Sequence, residues 1–202
     1  MFLEIQNCFT DAECNDISSR CGALIQKNKM NYELNREGNT VQFPEHPEIR
    51  DLWELVSRRL MDYYFNKIML VYNLGNIPVA DSGFAFHRYK PGDKLYNHAD
   101  EIFSRNTAKI NPRVLSLVVH LTDNDDAELV FPRQNKKIKS EKGKLTCFLP
   151  NNCFEHYMNN NSDKDRDVLV TWVEDKSIEC SLNSNIKGMD IPFADEIDKN
   201  KI

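Results

Sequence analysis

Apolar residues recur every three or four positions in the first third of the chain, and in shorter, alternating runs beyond it. Cys14, Ile17, Cys21, Leu24 and Ile25 trace one face of a helix, and this spacing predicts an amphipathic helix over residues 11–28. Thr10 and Glu13 stand three apart just ahead of that stripe, as a capping box requires. A second stripe, Leu52, Leu55, Val56, Leu60 and Tyr63, follows Pro47 and Glu48, residues suited to a first helical turn, and predicts a helix reaching about residue 67. Both helices read as scaffold, with Tyr63, Tyr64 and Phe65 as packing residues.

From residue 80 the pattern changes to β-branched and aromatic runs between turn residues: SGFAFHRY, KLYNHAD, RVLSLVVHL, ELVFP, KKIKSEKGKLTCFLP and DVLVTWV. PGDK and TDNDDA read as turns. Many short strands in one unit predict a mainly β fold with flanking helices (α+β), a jelly-roll core with the N-terminal helices packed on one sheet. The organisation expected is a single domain over 1–202: helical support at 1–79, a catalytic core at 80–175 and a C-terminal tail at 176–202 whose polar end is expected to be disordered. There is no internal repeat.

Composition narrows the partners. A length of 202 residues suits one domain with a sizeable core. A formal charge of −5 disfavours a general nucleic-acid binder. The longest apolar runs fall short of the roughly 20 residues that span a bilayer, and the N-terminus lacks the basic start and extended apolar segment of a signal peptide. The expectation is a cytoplasmic protein with no nucleic-acid or membrane partner; the oligomeric state stays open. Six cysteines are spaced irregularly without a C-x-x-C pair, which points to reduced thiols, with Cys14 and Cys21 acting as small apolar residues on the first helix.

Candidate chemistry centres on His98 and Asp100, an H-x-D pair in YKPGDKLYNHADEI, and on His156 in CFEHYM. On a strand, an i, i+2 pair projects to one face. Two imidazoles and one carboxylate on one side of a metal suit Fe(II) with open positions for a cosubstrate and O₂. Arg166, ten residues beyond His156, leads into DVLVTWV. Buried in a barrel mouth, it needs an anionic partner, and the distal carboxylate of 2-oxoglutarate supplies one. The plainer alternative is a solvated arginine in the acidic loop SDKDRD. Cys153 and His156 form a C-x-x-H that would suit zinc, but no second close pair accompanies it. His46 and His87 read as a residue at the start of the second helix and a packed strand residue, and Trp172 as packing near the pocket floor.

In this order the segments resemble the Fe(II)/2-oxoglutarate-dependent dioxygenases, specifically their prolyl 4-hydroxylase-like branch. RYKPGDKLYNHAD looks like the branch's tyrosine, turn glycine and H-x-D segment. RVLSLVVHLTD, ELVFP, EKGKLTCFLPNNCFEHYM and the stretch from Arg166 to Trp172 resemble its later strands, so the likeness spans about residues 80–174. Asp126 and Ala127 replace the usual glycines before ELVFP, and NNNSDKD lacks the familiar Pro-Val and Gly. The resemblance implies a double-stranded β-helix in which His98, Asp100 and His156 hold iron and Arg166 pairs with the C5 carboxylate of 2-oxoglutarate. It also implies that Tyr89 donates a hydrogen bond near the cosubstrate, and that His120 occupies the strand position of a cosubstrate-contacting tyrosine. Fe(II), 2-oxoglutarate and O₂, with ascorbate as reductant, are the implied cofactors. Hydroxylation of a prolyl residue in a peptide or protein, releasing succinate and CO₂, is the implied reaction; Asp100 at the carboxylate position favours it over halogenation. Alternatives are another peptidyl residue or a free amino acid as acceptor, a zinc hydrolase, and a metal-binding jelly roll without catalysis. Residues 30–46 and 101–112 are candidate lids, with Tyr32, Phe43 or Phe103 closing over substrate.

Overall fold

The capping box forms as the spacing predicts: the Thr10 backbone N–H donates to Glu13 at 2.8 Å and the Glu13 N–H donates back to the Thr10 hydroxyl at 3.3 Å. In the computed structural model, which describes residues 1–27, 38–75, 77–101 and 113–177, it follows a short strand β1 (Leu3–Ile5) and starts helix α1 (Asp11–Lys27). Cys14, Ile17, Cys21 and Leu24 are buried, and burial pushes the Cys14 thiol up to about 11 and the Cys21 thiol up to about 12. Both therefore behave as neutral, apolar groups. Strand β2 (Asn39–Gln42) leads through two short 3-10 turns into α2 (Arg50–Tyr63), a π-helical turn (Tyr64–Ile68) and α3 (Met69–Tyr72). This helical stretch runs five residues past the expected end at 67. Leu52, Val56, Leu60, Tyr64 and Ile68 form its buried stripe.

The β region contains β3 (Val79–Asp81), β4 (Ala85–Tyr89), β5 (Lys94–His98), β6 (Arg113–His120), β7 (Asn124–Phe131), β8 (Lys136–Ser140), β9 (Leu145–Phe148), β10 (His156–Asn159) and β11 (Arg166–Asp175). They form two antiparallel sheets. The larger has the order β1-β9-β6-β11-β4-β2, with β3 also paired to β11, and the smaller has the order β5-β10-β7-β8. The segment Asn124–Ala127, expected as part of a turn, belongs to β7.

Alternation along the strands of the larger sheet divides the core in two. Leu115, Leu117, Val119 and Leu169 face outward and pack with α1 and α2. Val118, Phe148 and Val168 face inward and pack with Leu129, Phe131 and Met158 of the smaller sheet. The expected jelly roll with helices on one sheet is thus the observed architecture. Phe43 corrects one expectation: it is 1% exposed and packs edge-on to Phe84 in the helix-side core, so it is not free to close a lid. Tyr32, Phe103 and the tail from residue 178 lie outside the described residues. Among the described residues, no helix is long and apolar enough to cross a membrane.

Candidate active site

His98 ends β5 and His156 begins β10, directly opposite each other in the register. The next inward residues, Leu95 and Met158, are also partners, although they stand three and two positions away. The resulting irregularity in β5 lets Leu95 and His98 share a face. Asp100 lies in the bend just after β5 rather than on the strand, so a turn, not strand alternation, brings its carboxylate back. One ligand atom from each of His98, Asp100 and His156 lies within 4.8 Å of the others. His98 Nε2 is 3.3 Å and His156 Nε2 3.9 Å from Asp100 Oδ1.

Backbone carbonyls orient both imidazoles. His98 Nδ1 is 2.8 Å from the Tyr96 carbonyl oxygen and His156 Nδ1 is 3.1 Å from that of Phe154. A carbonyl can only accept, so each Nδ1 carries a proton and each ring is held with its Nε2 facing Asp100. Burial lowers the His156 pKa to about 4, against the opposing charge of Asp100, and keeps the ring neutral. Burial works against ionisation of Asp100, but His98, His156 and Ser116 outweigh it and hold the carboxyl below its usual range. Two Nε2 atoms and a carboxylate oxygen therefore converge on one point, and a divalent cation, taking the place of any proton on Nε2, would satisfy all three. The set of two neutral imidazoles and one carboxylate fits Fe(II). Cys153 is exposed and is not part of this group.

Arg166 opens β11 and is 1% exposed, which removes the surface-loop alternative. Burial lowers its pKa to about 10, with Tyr89 and Asp167 offsetting part of the shift, so it stays charged near neutrality. Its Nε is buried without a hydrogen-bond partner among the described residues, and the guanidinium carbon sits 5.7 Å from the Tyr89 ring centre. A buried guanidinium lacking a carboxylate is costly unless a ligand brings one. Arg166, Tyr89 and the triad line the same cavity between the sheets, together with Val168, Val170 and Trp172. A dicarboxylate reaching from Arg166 to the triad fits these residues.

His120 is placed differently. It is fully buried, with Nδ1 3.3 Å from Ser140 Oγ and Nε2 3.1 Å from Thr146 Oγ1, and it is not among the residues lining the cavity. Sequence reasoning passed over three contributors. Ser116 donates to Asp100 Oδ2; Arg113 donates to the Asp100 carbonyl at 3.0 Å and lies 3.6 Å over the Trp172 ring; and His87 lines the cavity. Ser116 was detectable as a small polar residue among the inward positions of RVLSLVVH.

Two imidazoles, a carboxylate and a buried guanidinium whose Nε has no partner among the described residues, inside one β-sandwich, are what a non-haem iron oxygenase using a 2-oxo acid requires. Residues 84–174 match the family model of the 2OG-Fe(II) oxygenase superfamily. That match places residues 84–174 among the 2-oxoglutarate-dependent dioxygenases, and the fold that carries them is prolyl 4-hydroxylase-like. A viral collagen prolyl hydroxylase from Paramecium bursaria Chlorella virus-1, in its 2-oxoglutarate complex, is 16% identical with a TM-score of 0.69; the match covers 86% of this chain and 96% of that one. A Trichoplax adhaerens prolyl hydroxylase, in complex with a hypoxia-inducible-factor oxygen degradation domain peptide fragment, is 17% identical with a TM-score of 0.69, covering 89% and 86%. A Pseudomonas putida prolyl 4-hydroxylase is 13% identical with a TM-score of 0.63, covering 87% and 92%. No curated protein matches the chain.

Proposed function

We propose that this chain hydroxylates a prolyl residue of a peptide or protein, with His98, Asp100 and His156 holding Fe(II) and Arg166 binding the C5 carboxylate of 2-oxoglutarate. The observation that carries the reading is the buried guanidinium of Arg166, its Nε without a hydrogen-bond partner among the described residues, in the same cavity as the triad. Three solved structures of similar fold are of prolyl hydroxylases, one of them holding a peptide, which supports the acceptor class.

When bound, Fe(II) supplies the activation of O₂ that couples decarboxylation of 2-oxoglutarate, to succinate and CO₂, with hydroxylation of a C–H bond. The protein supplies placement. The Tyr96 and Phe154 carbonyls fix the imidazole tautomers, Ser116 fixes the carboxylate, and Arg166 anchors the cosubstrate at its far end. Val118, Val170 and Leu129 provide apolar wall beside the triad, excluding water from the reacting face.

Mass spectrometry of proline-containing peptides incubated with Fe(II), 2-oxoglutarate and O₂ tests the reaction: a gain of one oxygen on proline is expected. Anaerobic addition of Fe(II) and 2-oxoglutarate should give a weak visible metal-to-ligand charge-transfer band. Its absence would count against the oxygenase site, and the band without peptide oxidation would redirect the search to other acceptors.

A further inference from the structure

A chain of aromatic rings runs from the edge of the larger sheet to His156. Strand β1 pairs with β9 at that edge, with Leu3 opposite Cys147, and Phe2, one residue ahead, packs against the inner core between the sheets. There it lies edge-on to Phe131, with ring centres 4.7 Å apart, and edge-on to Phe154 at 5.3 Å. The Tyr72 hydroxyl reaches the carbonyl oxygens of Met1 at 3.2 Å and Cys147 at 2.9 Å, tying the backbone ahead of Phe2 to β9. Phe131 in turn packs edge-on to Phe148 at 4.9 Å.

These contacts converge on one imidazole. Phe131 and Phe148 pack against the His156 ring, with centres 5.2 and 5.0 Å away, and Phe154 supplies the carbonyl that accepts its Nδ1–H. One hydrogen bond fixes an edge of an imidazole and leaves the tilt of its plane to packing. In a close-packed interior that packing is felt by every neighbour, and a gap left by a removed ring closes only in part. Phe154 ends a single 3-10 turn, Asn152–Phe154, whose cap is the Asn151 side chain accepting from the Cys153 N–H at 3.1 Å; so short an element depends on its side chains to stay in place. Phe2 thus braces both supports of His156: the ring that packs on it and the residue that bears its acceptor. We propose that Phe2 is a positioning residue for the metal centre, acting through Phe131 and Phe154 to set the orientation of the His156 imidazole toward Asp100. The proposal rests on the reading of His98, Asp100 and His156 as a metal site.

The test is anaerobic titration of metal-free protein with Co(II), followed by visible absorption at a temperature well below every melting transition. Wild type is compared with Phe2→Ala, Phe2→Leu, Phe2→Tyr and His156→Ala, and with Phe84→Leu, which loosens the helix-side core away from the triad. Losing a group that orients a metal ligand directly costs about 10- to 100-fold in affinity; acting one contact further away, Phe2→Ala should weaken Co(II) binding by about fivefold. Its Co(II) absorption bands should also shift, because the ligand geometry changes. Phe2→Tyr, which keeps the ring, should restore both affinity and spectrum. Phe84→Leu should lower the melting temperature and leave both unchanged, which separates positioning from general loss of stability. Co(II) affinity of Phe2→Ala within about twofold of wild type, or an equal loss in Phe84→Leu, would overturn the role of Phe2 alone. Wild type that fails to bind Co(II), or His156→Ala that binds it like wild type, would overturn the metal-site reading and this inference with it. Should Phe2→Ala fail to fold, Phe2→Leu takes its place: about threefold weaker binding is expected, and undiminished affinity overturns the proposal.

Discussion

The Ser116 hydroxyl donates to Asp100 Oδ2 at 2.5 Å, and that bond turns Oδ1 toward the two imidazole nitrogens. Ser116 sits on β6, a central strand of the larger sheet, whereas Asp100 lies in a bend. The rigid element therefore positions a ligand carried by a less regular one. Ser116→Ala removes one hydroxyl from a packed position and should leave the fold intact while lowering metal affinity by about 10- to 100-fold, the usual cost of losing a group that orients a ligand. Metal titration of the folded variant checks this; unchanged affinity would show that Asp100 is oriented by other contacts.

His98 and His156 occupy facing positions but differ in surroundings. His98 ends an edge strand, while His156 packs against Phe131 and Phe148 with ring centres 5.2 and 5.0 Å away. Replacing either by alanine should abolish tight metal binding. Loss of stability should be larger for His156→Ala, which opens a cavity beside two phenyl rings, by about 2 kcal/mol or more. Chemical denaturation of the metal-free proteins measures that difference, and equal losses would contradict the packing argument.

Burial, with the charges of Arg166 and Lys144 added, pushes the His120 pKa well below its ordinary 6.5. Below that value the unfolded chain binds a proton that the folded protein does not, so stability rises with pH through this region and is lost as pH falls. The slope reaches about 1.4 kcal/mol per pH unit at most. His120→Asn removes this contribution. Its melting temperature should therefore decline less steeply than that of wild type between about pH 6.5 and 5, in metal-free protein. Parallel declines would refute the linkage.

Sequence alone carried the architecture where the periodic signal was long. The Thr10–Glu13 box, the stripe through Leu24 and the strands around Val118 and Val168 lie where their patterns put them. Strands β1, β2, β3 and β10 contain only three or four residues each, too few to show alternation. The triad was visible as residue types, but its assembly was not: Asp100 reaches the imidazoles through a bend, and His98 faces inward because β5 is irregular. His87 was read as a packed strand residue, and it is one. It also lies beside Val168 in the cavity wall, a relation fixed by pairing across strands and invisible within either strand.

Arg166 sets function against stability. Its guanidinium is 1% exposed and its Nε has no hydrogen-bond partner among the described residues, so the ligand-free protein holds a desolvated cation whose compensation arrives with the cosubstrate. An unbranched apolar side chain of similar length should relieve that cost. Arg166→Met is expected to stabilise the ligand-free protein by about 1–3 kcal/mol, as replacement of buried charges by packed apolar groups often does. In a chain of this size each kcal/mol shifts the melting temperature by about 2–4 °C. The same substitution should weaken 2-oxoglutarate binding by about 100-fold or more, since it removes one partner of a buried charge pair. Added 2-oxoglutarate with metal should raise the wild-type melting temperature and leave that of the variant unchanged. A variant less stable than wild type without ligand would mean that Arg166 contributes more to folding through its packing on Tyr89 than its desolvation costs.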